Sequence, residues 1–206
     1  MLIERYDSGL LDSNMYVVSE NGHAIVIDPC LNIQASDKFI IDYLFITHEH
    51  YDHIFGVNLW KERTGAPLVC SKVCAEGIKD TKKNQARHFD ALCVLQSFSK
   101  HWDSNLINPD YTCSAEIIFN MEKGIVWQEH VIRLIEIPGH SPGSTGIWID
   151  GVFFSGDSLL EERDIELRFP GGSKKQWEEL GKKIIDSIPN GTMIYPGHFN
   201  GFVLKR

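Results

Sequence analysis

His48-Glu49-His50-Tyr51-Asp52-His53 follows directly on the apolar run Tyr43-Leu44-Phe45-Ile46 and sets four candidate metal ligands within six positions. Imidazole nitrogens and carboxylate oxygens are the donors that Zn²⁺ and similar divalent ions accept. Side chains two apart on an extended chain project to the same side, so His48 and His50 can grip one ion together. Asp52 and His53 come where the chain turns into a helix, so they point elsewhere, toward a second ion or a metal-bound water. Histidines also gather on solvated loops, and nine in 206 residues will sometimes fall close together by chance. A loop that needed only solubility would use Lys, Glu, Ser or Gly instead.

Working outward, three later segments repeat one arrangement: a strand-like run, a glycine, then a lone ligand type. Val131 to Ile137 leads into Pro138-Gly139-His140; Val152-Phe153-Phe154-Ser155 into Gly156-Asp157; Met193-Ile194-Tyr195 into Pro196-Gly197-His198. Loop tips on a rigid scaffold are where binding residues concentrate.

The ordered series His48-x-His50-x-Asp52-His53, His140, Asp157 and His198 resembles that of the metallo-beta-lactamase superfamily of metallohydrolases, over nearly the whole chain. Within it the flanking text looks like the glyoxalase II (hydroxyacylglutathione hydrolase) group. The matching segments are Ile27-Asp28-Pro29, Ile137-Pro138-Gly139-His140-Ser141-Pro142-Gly143-Ser144, Ser155-Gly156-Asp157-Ser158-Leu159, Phe169-Pro170-Gly171-Gly172-Ser173 and Tyr195-Pro196-Gly197-His198. The resemblance implies an α/β (α+β) fold, a four-layer αββα sandwich, with a dinuclear site. His48, His50 and His140 would hold one ion, Asp52, His53 and His198 the other, and Asp157 would bridge them. The expected domain is a single one over residues 1–206, without the separate C-terminal helical domain of glyoxalase II. Close relatives commonly read Gly-Arg-x-Asp before the Phe-Pro-Gly-Gly stretch, where this chain has Ile165-Glu166-Leu167-Arg168. Substrate-binding residues are therefore not assigned.

The chemistry supports the same inventory independently. Divalent ions lower the pKa of a bound water from 15.7 to about 7 in known zinc sites, so hydroxide is available at neutral pH. No side-chain nucleophile is then required, which fits the absence of a G-x-S-x-G elbow. Asp52 is the expected catalytic proton acceptor. The expected cofactors are two divalent ions, zinc first, with iron or manganese as alternatives because imidazole and carboxylate accept all three. Asp52 and Asp157 brought together without cations would repel one another, so metal is expected to stabilise the fold.

Composition excludes several classes. The hydrophobic share of 43% against 23% charged suits a packed domain and not a disordered tail. A net charge of −8 without a basic stripe argues against nucleic acid. No apolar run approaches the ~20 residues of a membrane span, and Met1 to Asp7 lacks the marks of a signal peptide, so a cytoplasmic protein is expected. Cys30, Cys70, Cys74, Cys93 and Cys113 are an odd set read as buried reduced thiols. The expected partner is a small-molecule substrate, and no feature sets an oligomeric state.

Met15 to Ser19 and Ala24 to Ile27 read as strands joined through Asn21-Gly22, a hairpin signal. A helix is expected from His53, carrying Ile54, Val57 and Trp60 and stopping at Gly65. Ser173 is expected to cap a second helix through Asp186 that buries Trp177, Leu180, Ile184 and Ile185. Residues 77–120 lack periodicity and read either as a lid, with Phe98, Trp102 and Tyr111 lining an apolar mouth, or as a surface excursion.

The leading functional reading is hydrolysis of a small thioester or ester by a metal-bridging hydroxide. The alternatives are a mononuclear iron persulfide dioxygenase, a lactonase or phosphodiesterase on the same fold, and a noncatalytic metal-binding module.

Overall fold

Asn21 and Gly22 both take positive φ, 51° and 82°. That geometry suits a two-residue turn between right-twisting strands, and Glu20 pairs across it with His23. The computed structural model describes residues 1–95, 104–161 and 163–206. The hairpin lies in a six-stranded sheet ordered β1 (Leu2–Asp7), β2 (Asn14–Glu20), β3 (His23–Ile27), β4 (Ile40–Phe45), β5 (Leu68–Ser71), β6 (Ile117–Phe119). Its first three strands are antiparallel, and β3 to β6 run parallel.

The second six-stranded sheet contains β7 (Glu122–Trp127), β8 (His130–Glu136), β9 (Thr145–Ile149), β10 (Val152–Gly156), β11 (Met193–Pro196) and β12 (Phe202–Val203), each beside the next. Only β10 and β11 are parallel, so the loops that leave them open at the same edge. The helices are α1 (Tyr51–Ile54), α2 (Val57–Thr64), α3 (Lys72–Gly77), α4 (Phe89–Leu95), α5 (Lys174–Gln176) and α6 (Lys182–Asp186).

Strand side chains alternate between faces, and here both faces are covered. Ile25, Ile27, Phe45 and Val69 of the first sheet pack against Ile132, Leu134, Ile147 and Phe154 of the second. Their neighbours Ala24, Val26, Leu44 and Leu68 face the opposite way, onto Ile54, Val57 and Trp60. Phe153 and Ile194 likewise face outward onto Ile185 and Trp177. The result is the expected αββα sandwich, with three apolar layers between four layers of structure. Among the described residues no helix is long and apolar enough to cross a membrane.

Three local expectations need correction. The helix expected from His53 is two helices, because Gly56 donates its N–H to Pro29 O at 3.0 Å and a Cβ there would sit 2.2 Å from Cys30 O. Gly65, φ 70°, does end the second, donating to Lys61 O at 2.8 Å. In the later helix Ser173 caps Gln176 N at 3.2 Å, but a π turn over Trp177–Gly181 separates α5 from α6. The extra residue in that turn rotates Leu180 outward, 42% exposed, and brings Gly181 inward instead. Residues 77–120 hold α4 and β6, and their buried Phe89, Cys93 and Cys113 pack into the same layer as Trp60. Tyr111 is not at a mouth; it is buried, donating to Ile54 O at 2.7 Å and accepting from Asn58 N at 3.2 Å. Phe98 and Trp102 lie outside the described residues. All five cysteines are free and buried.

Candidate metal centre

Four of the seven ligand candidates sit just beyond the C-terminal end of a strand: His48 after β4, His140 after β8, Asp157 after β10 and His198 after β11. His50 is the extended residue that opens α1, φ −65° and ψ 147°, and Asp52 and His53 occupy the first helical turn. Spacing alone anticipated this division. Folding brings all seven residues to one place.

Three groups form there, His48 with His50 and His140, His48 with His53 and Asp157, and Asp52 with His53 and His198, the ligand atoms of each lying within 4.8 Å of one another. The Asp157 carboxylate lies in the middle. One of its oxygens is 3.3 Å from His198 Nε2 and 3.5 Å from His140 Nε2, while the other is 3.6 Å from His53 Nε2. Asp52 Oδ2 is 3.5 Å from both His53 Nε2 and His198 Nε2.

The inward-facing atoms fit cations. His48 Nε2, His53 Nε2 and Asp157 Oδ1 are buried without any hydrogen-bond partner. Orphaned buried polar atoms are rare because each forfeits its hydration, so three converging on one point call for a bound group. Their outward-facing nitrogens are all satisfied. His53 Nδ1 bonds Asp28 Oδ2 at 3.0 Å, His140 Nδ1 bonds Glu166 O at 2.9 Å and His198 Nδ1 bonds Leu11 O at 2.9 Å. Thr47 Oγ1 donates to Asp28 Oδ2 at 2.7 Å, so at 3.1 Å it accepts from His48 Nδ1. Each of these four rings sets Nδ1 against an acceptor and turns Nε2 inward, the outer-shell arrangement of metal-ligating histidine.

Burial dominates the electrostatics of the first group. It holds His48 and His50 well below the ordinary histidine range, helped by neighbouring imidazoles, and lowers His140 as well. Their lone pairs are thus available at neutral pH. At Asp157 burial pushes upward, but His198 and His53 outweigh it and keep the carboxyl well below its usual value. Burial works in the other direction at His53, where Asp52, Asp157 and Asp28 overcome it and raise the pKa to about 10.

Close packing demands glycine at two points. A Cβ on Gly197 would lie 2.2 Å from Asp157 Oδ1, and one on Gly143 would lie 2.5 Å from Glu49 Oε2. Glu49, buried between the first two histidines, accepts from Ser141 Oγ at 2.9 Å and so ties the His48 loop to the His140 loop.

The centre forms the floor of a cavity of about 340 Å³ whose walls include Leu11, Phe89, Leu92, Leu160, Phe169 and Phe199. Arg168 pairs with Glu166 at 2.5 Å, and Lys174 and Lys175 lie 3.7 and 3.9 Å from Glu178 and Glu179. Sequence reasoning gave no role to Asp28, Thr47 or Gln85. Asp28 was visible as one more strand-then-acid pattern in Ile27-Asp28-Pro29; Thr47 and Gln85 carried no signal.

Comparison with known proteins is consistent with this geometry. The family model described as the metallo-beta-lactamase superfamily matches residues 8–198. A probable metallo-hydrolase of Streptococcus pyogenes serotype M6 is 24% identical over 96% of this chain and 84% of its own. A hydroxyacylglutathione hydrolase of Wigglesworthia glossinidia brevipalpis is 25% identical over 91% of this chain, which spans 61% of that relative's length. The crystal structure of the BLEG-1 B3 metallo-beta-lactamase superposes with a TM-score of 0.79 at 19% identity, covering 98% of this chain and 94% of that one.

Proposed function

The chain belongs to the metallo-beta-lactamase superfamily, and from that membership we propose that it is a dinuclear metal-dependent hydrolase of a small thioester or ester. The observation that carries the reading is the convergence of three buried, inward-facing atoms without partners, on His48, His53 and Asp157, where three overlapping histidine and aspartate groups meet. His48, His50 and His140 would hold the first ion and Asp52, His53 and His198 the second, with Asp157 placed to serve both. Divalent ions bound there supply an acidified water and a Lewis acid for the substrate carbonyl.

The protein's own residues do the rest. The hydrogen bonds on Nδ1 of His48, His53, His140 and His198 fix their rings in the productive tautomer. Asp52, at the cavity wall and 7% exposed, takes the proton of the attacking water on a carboxylate oxygen. It returns that proton to the departing thiolate or alkoxide, so water is split between acid and thiol products. The cavity offers the substrate apolar side chains at Phe89, Phe169 and Phe199 and charged ones at Arg163 and Arg168. Zinc is the first choice of ion. The low-identity hydroxyacylglutathione hydrolase relatives favour a thioester, although the chain matches only about three-fifths of their length.

Elemental analysis of the purified protein, joined to turnover of 2-hydroxyacyl thioesters, lactones, phosphodiesters and glutathione persulfide, tests the proposal. Two ions per chain and thioester cleavage, lost in His50→Ala, are expected. One iron per chain with oxygen uptake on the persulfide would replace the hydrolase with a dioxygenase.

A further inference from the structure

Four of the five histidines in the centre turn Nε2 inward, and His50 does the opposite. Its Nδ1 lies 3.0 Å from His140 Nε2, whose own proton is committed to Glu166 O through Nδ1. If His50 and His140 share an ion, Nδ1 of His50 supplies the lone pair and its Nε2 must carry the proton. That Nε2 lies 2.8 Å from the side-chain amide nitrogen of Gln85, thirty-five positions away in sequence, and half a rotation of the amide sets its carbonyl oxygen in the same place. We propose that Gln85 is the positioning residue of the first ion's site: its amide carbonyl accepts the His50 Nε2 proton and locks the ring in the tautomer that leaves Nδ1 free to ligate. The inference rests on the metal-centre reading above and extends it to a residue outside the ligand set.

Three further observations point the same way. Gln85 is buried, 5% exposed, although a long polar side chain is seldom buried without a partner. Its backbone holds φ 67°, a left-handed conformation that glycine would occupy without steric cost, so a side chain is retained there against conformational preference. The turn that carries it is fixed by Asn84, fully buried, whose amide donates to Tyr111 O at 2.9 Å and whose carbonyl accepts from Ala86 N at 2.9 Å. Half a rotation of the Gln85 amide exchanges its carbonyl for its NH₂, so the same side chain can meet either tautomer of His50. A carboxylate at this position can only accept and would therefore favour the ligating tautomer; an aliphatic chain offers neither atom.

Zinc titration against a chromophoric chelator, on the full chain, separates these cases. Gln85→Leu is expected to bind zinc ~10–100-fold more weakly at the tighter site, as loss of an outer-shell partner does elsewhere. Gln85→Glu is expected to bind at least as tightly as the parent. Equal zinc affinity of parent and Gln85→Leu overturns the assignment while leaving the metal centre standing, whereas a parent that binds no zinc overturns both. The native zinc-loaded protein gives a second readout that does not depend on any variant folding. Long-range ¹H–¹⁵N spectra of its imidazoles should show one ring protonated at Nε2 and four at Nδ1 within the centre. Five rings protonated at Nδ1 would refute the proposal.

Discussion

Asp28→Asn isolates the hydrogen bonding beneath the centre with almost no change of shape. The native carboxylate accepts from Thr47 N and Thr47 Oγ1 at 2.7 Å each and from His53 Nδ1 at 3.0 Å, all three donors being buried. An asparagine keeps one oxygen and turns an NH₂ toward the others, so two buried donors lose their acceptor. Each such loss costs roughly 1–3 kcal/mol, giving about 2–6 kcal/mol for the pair. Against a typical stability of ~5–15 kcal/mol that is a large share. At about 2–4 °C per kcal/mol for a chain of this size, the melting temperature should fall by at least ~4 °C. His53 and His48 both depend on this network for their tautomer, so zinc affinity should drop ~10–100-fold as well. Calorimetry of the zinc-loaded and chelator-treated proteins measures the two effects separately. A variant that melts within ~2 °C of the parent and holds zinc equally would show that Asp28 does not organise the centre.

Stripping metal with a strong chelator should lower the melting temperature of the parent. An ion present at 100-fold its dissociation constant contributes ~2.7 kcal/mol, hence a shift of about 5–11 °C, and an unmoved transition would contradict the metal reading. Gly197→Ala places a methyl 2.2 Å from Asp157 Oδ1 and should abolish tight metal binding, while Gly124→Ala, with open space around its Cβ, should leave zinc affinity unchanged. Equal zinc content in both would refute the packing argument. At the far end of the sandwich His130 is bonded to Glu20 and to Asp150, contacts that raise its pKa against partial burial. A raised folded pKa means that the clamp contributes fully below ~6.5 and is lost as pH rises through the folded value. Melting curves from pH 6 to 9 should therefore show parent and His130→Gln converging, and a constant gap would exclude the clamp.

Much of the centre was legible because its constraints are local. His48 and His50 share one side of an extended stretch, and Asp52 and His53 share a helical turn, so spacing alone divides them into two groups. Asn21-Gly22 announced its hairpin for the same reason: both residues tolerate positive φ. The errors arose where distant parts of the chain meet. Gly56 breaks the helix after His53 because the Pro29-Cys30 backbone lies against it. Gly181 faces inward because Pro138 O and the Trp177 ring leave no room for a side chain. Neither approach leaves a mark on periodicity.

The sequence by itself determined which side chains are candidate ligands and that His48, His140, Asp157 and His198 follow strands, since donor chemistry and alternation are properties of short segments. Only the tertiary structure decided which nitrogen of each ring faces inward. That choice belongs to whatever touches the other nitrogen: the Leu11 carbonyl for His198, the Glu166 carbonyl for His140, Asp28 for His53, the Gln85 amide for His50. Backbone carbonyls have no residue identity to read, and a lone glutamine has no motif, so proton placement emerges only when the chain closes on itself.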